Sequence, residues 1–428
     1  MQNNANDKTV WTHYAIIILG LWLIACTFSF TQNSYPIAVS DLAAGVLLIG
    51  LGLYDMKTQK VWPRWALAVV AVWLQFAPLA FWAPEAVTYL NDTLVGALVI
   101  ALAVIIPKDP IEEAVGGAAI PEGWSYNPSA WPQRIPIAFL GFLAWMFARY
   151  MASYQLGYLD NVYDPVFGDG TRDVITSAVS KDFPVADAGL GAMAYTIETL
   201  MAAHGGVRRW HTIPWFVVLF AILVVPLGFT SIVLIMLQPI MVGHWCFWCL
   251  LTAVCMLFMI ALAIDEVVAV LHFLHQAKKK GNLSKVFWRG GDAPGEEEDK
   301  RSPSAASREM IPSMTWGISF PWHLWITAAL GLWLMFSPHL LEEKELVSDL
   351  DHIMGALIVA VSIISMAEVV RALRFINFLF GIIVLAMLFF TVGAGLISHI
   401  IVGLALIALT IPRGKIKEKY GAWEKYIV

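Results

Sequence analysis

Apolar runs of about 20 residues recur along the whole chain, and each is long enough to cross a hydrocarbon core about 30 Å thick as a helix. The composition agrees. Of 428 residues, 59% are hydrophobic and only 14% charged, with mean hydropathy +0.70, where a soluble domain carries about 25% charged residues. The expected fold is all-α, a polytopic membrane protein of about twelve spans. They are placed near 12–31, 37–55, 63–82, 88–107, 134–157, 187–204, 212–236, 246–272, 321–340, 349–372, 374–392 and 394–412. Trp11 to Phe30 is longer than a signal-peptide core and lacks a small-residue cleavage site, so it reads as an uncleaved first span. The chain has no dense basic face outside its short loops, which argues against a nucleic-acid partner.

Orientation follows from Lys and Arg, which favour the cytoplasmic loops. The even-numbered connections are basic: Lys57, Lys60 and Arg64; Arg208 and Arg209; Lys278 to Lys280; Arg371 and Arg374. The tail adds Arg413, Lys415, Lys417 and Lys419, while the odd-numbered connections hold little beyond Arg172, Lys181 and Lys344. The expectation is a multi-pass protein of the cytoplasmic (inner) membrane with both termini cytoplasmic. Residues 108–133 are Gly/Pro-rich, and 276–319 pass from basic through Glu296, Glu297, Glu298 and Asp299 to a Ser/Pro-rich stretch. The first is expected to be a cytoplasmic linker and the second a disordered one.

Four cysteines exist, and two of them, Cys246 and Cys249, form a CxxC in His244-Trp245-Cys246-Phe247-Trp248-Cys249. The motif opens an apolar run at what the charge pattern makes the outer face, where thiols are oxidised and exchanged. A helix N-terminus lowers a thiol pKa and favours the thiolate. Zinc is not expected, since no second Cys/His pair stands at ligand spacing. Covalent haem would need His, not Leu250, after the motif. A redox dithiol is the leading reading, with a structural disulfide or inert thiols as alternatives. Cys246 is expected to be the more exposed sulfur and Cys249 the deeper one. Cys26 and Cys255 read as small core residues.

The flanks repeat. Trp22 to Gly45, Trp73 to Gly96 and Trp333 to Gly355 are spaced 23, 23 and 22 residues, with Asp41, Asp92 and Asp351 each four residues before the Gly. A weaker fourth copy centres on Gly381 and Gly403. Each unit reads as a helical hairpin stacked on its neighbours, with Gly allowing close helix approach. These copies resemble the SPW-repeat family of small membrane modules, whose signature Ser337-Pro338-His339 and Ala77-Pro78-Leu79 approximate. The resemblance implies a scaffold at 1–107 (four spans) and at 320–428 (four spans and the basic tail).

Residues 134–275 give four spans, a long outer loop and the CxxC. This arrangement, with the segment Val174–Tyr195 bearing Ser177, Gly191 and Tyr195, resembles the vitamin K epoxide reductase (VKOR) family. The resemblance implies a four-helix bundle that holds a quinone, ubiquinone or menaquinone, beside the CxxC. It implies an oxidoreductase that passes electrons from an extracytoplasmic thioredoxin-like dithiol protein to that membrane quinone, in disulfide-bond formation, with membrane lipid around it. On this alignment Asp187 stands where the family has a quinone-binding Asn, unless it is only a helix cap, and Tyr195 lies beside it. His244 would stabilise a thiolate beside the quinone and the rings of Trp245 and Trp248 would line the quinone slot, unless all three are an interfacial aromatic belt. The family's second cysteine pair is missing from the loop, Thr171 standing where a cysteine is expected. That absence keeps open an alternative: a non-catalytic scaffold or assembly subunit with a vestigial or structural CxxC.

Other charges read more plainly. Arg149 is expected to snorkel to the headgroups. Asp265 and Glu266, sixteen or more residues past Cys249, are expected to be a solvated helix end. Glu198 is a candidate for a proton path, and Asp160, Asp164, Asp169 and Asp173 read as an acidic solvated loop, their spacing unlike an EF-hand.

Overall fold

The computed structural model describes residues 10–30, 33–58, 60–107, 115–296 and 307–427. Its long helices are α1 (Val10–Cys26), α2 (Tyr35–Thr58), α3 (Val61–Ala80), α4 (Ala86–Ile105), α5 (Trp131–Gln155) and α6 (Asp187–Ala203). They continue with α7 (Pro214–Val242), α8 (Phe247–Lys279), α9 (Trp322–Leu341), α10 (Glu345–Ile364), α11 (Glu368–Phe389) and α12 (Ala394–Thr410). Nine of them are long and apolar enough to cross a membrane, and α1 and α12 are shorter apolar helices. With α6 at the sixth expected place, the chain is an all-α polytopic membrane protein. Its one short β ladder pairs Ile120–Pro121 with Gly295–Glu296 among the described residues.

The helices fall into two compact units, residues 1–114 with 141–205, and 115–140 with 206–428. In the first, α1–α2 and α3–α4 are the two N-terminal repeat hairpins. Each crosses on the glycine its spacing singles out. A Cβ on Gly20 would come 2.7 Å from the Gly45 carbonyl oxygen, and one on Gly96 2.6 Å from that of Ala71. In the second unit, Gly331 in α9 meets Gly355 in α10, and Gly381 in α11 meets Gly403 in α12, with corresponding distances of 2.8 and 2.9 Å. The weak fourth copy is therefore a hairpin of the same kind.

The repeat tryptophans bond across hairpins. Trp22 Nε1 donates to Asn91 Oδ1 (2.7 Å), Trp73 Nε1 to Ser40 Oγ (2.9 Å) and Trp333 Nε1 to Ser398 Oγ (2.8 Å). Each acceptor immediately precedes Asp92, Asp41 or His399. His399 stands four residues before Gly403, so the fourth copy carries His where the others carry Asp. Its Nε2 lies 3.0 Å from Asp351 Oδ1, both side chains about 1% exposed. A buried carboxylate is thus paired, as burial of a charge demands.

The two stretches expected to be linkers are folded over much of their length. Trp124, Tyr126 and Ala130 are buried, and Val286 in a short helix, Leu283–Arg289, is buried in the same cluster as Trp124, Tyr126 and Tyr420. Gly, Pro and charge counts do not register the few large aromatic anchors that fold these stretches. Glu297, Glu298, Asp299 and the first Ser/Pro residues lie outside the described residues.

Asp265 and Glu266 are also not a solvated end. Both are buried in α8. Arg209 donates Nε to Glu266 Oε1 (2.7 Å) and Nη2 to Oε2 (2.6 Å), and Ser129 Oγ donates to Oε1 (2.5 Å). Tyr126 Oη donates to Asp265 Oδ2 (2.6 Å). The folded stretch 115–130 supplies Tyr126 and Ser129, and the short helix Arg209–Thr212 before α7 supplies the guanidinium. Arg149 likewise does not simply reach for headgroups: Nη1 donates to Thr93 Oγ1 (2.8 Å) and the guanidinium lies 4.3 Å from the Tyr89 ring centre.

Candidate functional site

The dithiol sits where α7 ends and α8 begins. Pro239 follows Gln238 in the last turn of α7, and Gly243, at φ 76°, stops that helix in the left-handed region glycine adopts without strain. The chain reverses through His244 and Trp245, and Cys246 becomes the N-cap of α8. Its extended backbone leaves the first amides of α8 free to be capped. The Cys246 sulfur accepts from Cys249 N at 3.1 Å, and Cys246 N donates to Gln238 Oε1 at 3.0 Å. Cys246 and Cys249 form a disulfide, with Cα atoms 5.3 Å apart. Gln238 escaped the sequence reading; the signal that could have found it is a polar residue in the last turn of an apolar helix, just before the turn.

Burial reverses one expectation. Cys246 is 0% exposed, whereas Cys249 is half-buried. The capping position and the Gln238 contact draw Cys246 inward, and depth along the helix does not measure access. Cys249 packs with Trp245 and Leu250 against Ile235, Ala253, Met335 and Ala356. His244 is exposed, and Trp248 is half-buried with its ring centre 5.1 Å from that of Phe247. Cys26 and Cys255 are buried and stand outside the disulfide, as the sequence suggested.

Asp187 and Tyr195 lie in α6 of the first unit. Tyr195 is 6% exposed. Asp187 is the first residue of α6, and its Oδ1 accepts from Gln155 Nε2 (2.5 Å), Ser180 Oγ (2.9 Å) and Ala188 N (2.8 Å). These bonds tie the loop before α6 to α5 and α6, while the N-cap position itself is Ala186. A quinone carbonyl needs a donor, and this oxygen is already engaged as an acceptor. Glu198 is fully buried in the same helix, and neither of its carboxyl oxygens has a hydrogen-bond partner among the described residues.

The loop without cysteines is held another way. Asp164 Oδ1 accepts from Val166 N and Phe167 N (2.9 and 2.7 Å), and Oδ2 from Thr171 N and Oγ1 (3.2 and 2.6 Å). Asp164 and Thr171 are buried, so only part of the acidic loop is solvated. Asp169 and Asp173 pair with the half-exposed Arg172.

Residues 135–264 match the model of the vitamin K epoxide reductase family, and residues 10–106 and 321–412 match the SPW repeat domain. The chain carries a VKOR-family domain between two SPW repeat domains. No curated protein and no solved structure matches it. The disulfide at the start of α8 lies inside the VKOR match, and Gly331, Gly355, Gly381 and Gly403 lie inside the second SPW match. Membership of the central domain indicates membrane redox chemistry involving thiols and quinones, in a multi-pass membrane protein.

Proposed function

We propose that the protein is a thiol–quinone oxidoreductase whose Cys246–Cys249 disulfide oxidises an extracytoplasmic dithiol protein and is restored by a membrane quinone. The observation that carries this reading is a CxxC disulfide capping a membrane helix within the VKOR match. The Lys/Arg pattern supports an outer placement for that helix end, in a cytoplasmic membrane.

The chemistry balances as two exchanges. A partner thiolate attacks one sulfur, a mixed disulfide forms, and the partner's second thiol displaces it. The partner leaves oxidised, and the protein holds two thiols. Those thiols then give two electrons and two protons to the quinone, which becomes a quinol as the disulfide reforms. The protein's contribution is placement. In the reduced state the Cys246 sulfur sits at the N-terminus of α8, where backbone amides favour its thiolate. Cys249 is half-buried among apolar and aromatic side chains, surroundings that suit a quinone ring. Cys246 is closed off, so exchange with a protein thiol at that sulfur needs the Gly243–Cys246 turn to open and the Gln238 contact to break.

Incubating the reduced, purified protein with a soluble quinone should consume two thiols per chain and form one quinol, leaving Cys26 and Cys255 unmodified. Cys246→Ser and Cys249→Ser should each abolish quinol formation. Retention of full quinol formation by both variants would overturn the thiol–quinone reading, and no quinol formation by the wild-type protein would return it to the scaffold reading, with the CxxC as a structural element.

A further inference from the structure

The third repeat hairpin, α9 with α10, belongs to the SPW match, yet it reaches the dithiol. Trp245, immediately before Cys246, has its ring centre 4.9 Å from that of Phe336 in α9. His352 in α10 meets the same indole edge-on at 5.6 Å. His352 is itself fixed. Its Nδ1 lies 2.8 Å from the Met335 carbonyl oxygen, which only accepts, so Nδ1 carries the proton. Nε2 is then the acceptor for Ser348 Oγ at 3.2 Å. Met335 is buried in the apolar cluster against which Trp245, Cys249 and Leu250 pack. One flank of the redox turn is therefore built from α9 and α10.

We infer that this hairpin is a working part of the thiol site, with Phe336 and His352 acting as positioning residues that hold Trp245 and, through it, the Cys246–Cys249 turn. The inference rests on the thiol–quinone reading and assigns a role in it to a module outside the VKOR match. The physical reason is the difference between the two redox states. A disulfide constrains the turn by itself. A dithiol does not, and the turn then keeps its shape only as far as its neighbours hold it. A well-packed aromatic contact is strong enough to shift such an equilibrium by about threefold to tenfold. Removing Phe336 or His352 should therefore change the dithiol–disulfide equilibrium itself, an effect that general destabilisation far from the turn does not produce.

The test uses the full chain in lipid nanodiscs, with Cys246–Cys249 equilibrated against a glutathione buffer. Phe336→Ala and His352→Leu are expected to shift the equilibrium constant by up to tenfold, ~30 mV for a two-electron couple. Phe336→Tyr, which keeps the ring, and His352→Gln, which keeps a donor for the Met335 carbonyl, should stay within about twofold of wild type. Trp333→Phe, in the same helix as Phe336, removes instead the bond across to Ser398 of the neighbouring hairpin and should leave the constant unchanged. Should Phe336→Ala not fold, Phe336→Leu removes the ring while keeping apolar bulk. Wild-type-like constants in both Phe336→Leu and His352→Leu, or an equal shift in Trp333→Phe, overturn the inference. A wild-type couple that exchanges with neither thiols nor quinone overturns the thiol–quinone reading first, and this one with it.

Discussion

Glu266 shows what a charge needs to sit inside a membrane protein. Arg209 meets it with two hydrogen bonds and Ser129 adds a third. Breaking a buried pair by removing one partner strands the other charge and costs about 3–5 kcal/mol. Arg209→Met should destabilise the protein by an amount of that order, read as a lower unfolding temperature in detergent, whereas a solvated helix end would lose no more than about 0.5 kcal/mol. His211, between α6 and α7, is buried, and burial pushes its imidazole below the ordinary value of 6.5, against the pull of carbonyl oxygens of Gly291 and Ala118. A depressed histidine favours the neutral folded form. Its contribution to stability is complete above about pH 6.5 and is lost as pH falls below that value, because the unfolded chain takes up the proton first. Thermal unfolding between pH 8 and pH 5 should show that decline, and His211→Gln should flatten it. At the redox turn, Gln238→Ala removes one hydrogen bond of about 1 kcal/mol. Alkylation of Cys246 in the reduced protein should speed up by about fivefold; an unchanged rate would mean that the Gln238 bond does not hold the turn closed.

At the scale of elements, the hairpins were the most legible part of the chain. A Trp, an Asp and a Gly at fixed spacing mark a crossing so close that no side chain fits between the backbones, and all four glycine-marked crossings are present. Gly45→Leu should therefore separate α1 from α2, at an overpacking cost of about 1–3 kcal/mol, measurable as a lower unfolding temperature; the same change at the unconfined Gly50 should be nearly silent. What the spacing did not reveal is the partner of each Trp. Trp22 bonds to Asn91 and Trp73 to Ser40, an exchange between neighbouring hairpins that only their packing creates. His399 was legible in principle, four residues before Gly403, but a His in an Asp position reads as divergence until Asp351 is seen beside it.

At the scale of the molecule, the tail and the stretch around Trp124 knit the second unit together. Glu368 accepts from Lys417 N and Glu418 N (both 3.0 Å) and from Tyr420 Oη (3.1 Å), and Trp423 Nε1 donates to Val369 O (2.9 Å). Tyr420 is fully buried, edge-on to Trp124 at 5.0 Å. Tyr420→Ala should cost about 3–5 kcal/mol, as other buried aromatic truncations do, and a detergent melt would register it. The sequence by itself determined the membrane class, the repeats and the CxxC, because hydropathy, spacing and a motif are properties of neighbours along the chain. Tertiary structure decided which sulfur is accessible, which residues pair with Glu266 and Asp351, and which hairpin flanks Trp245. Those depend on residues tens to hundreds of positions apart, brought together by packing that no local pattern encodes.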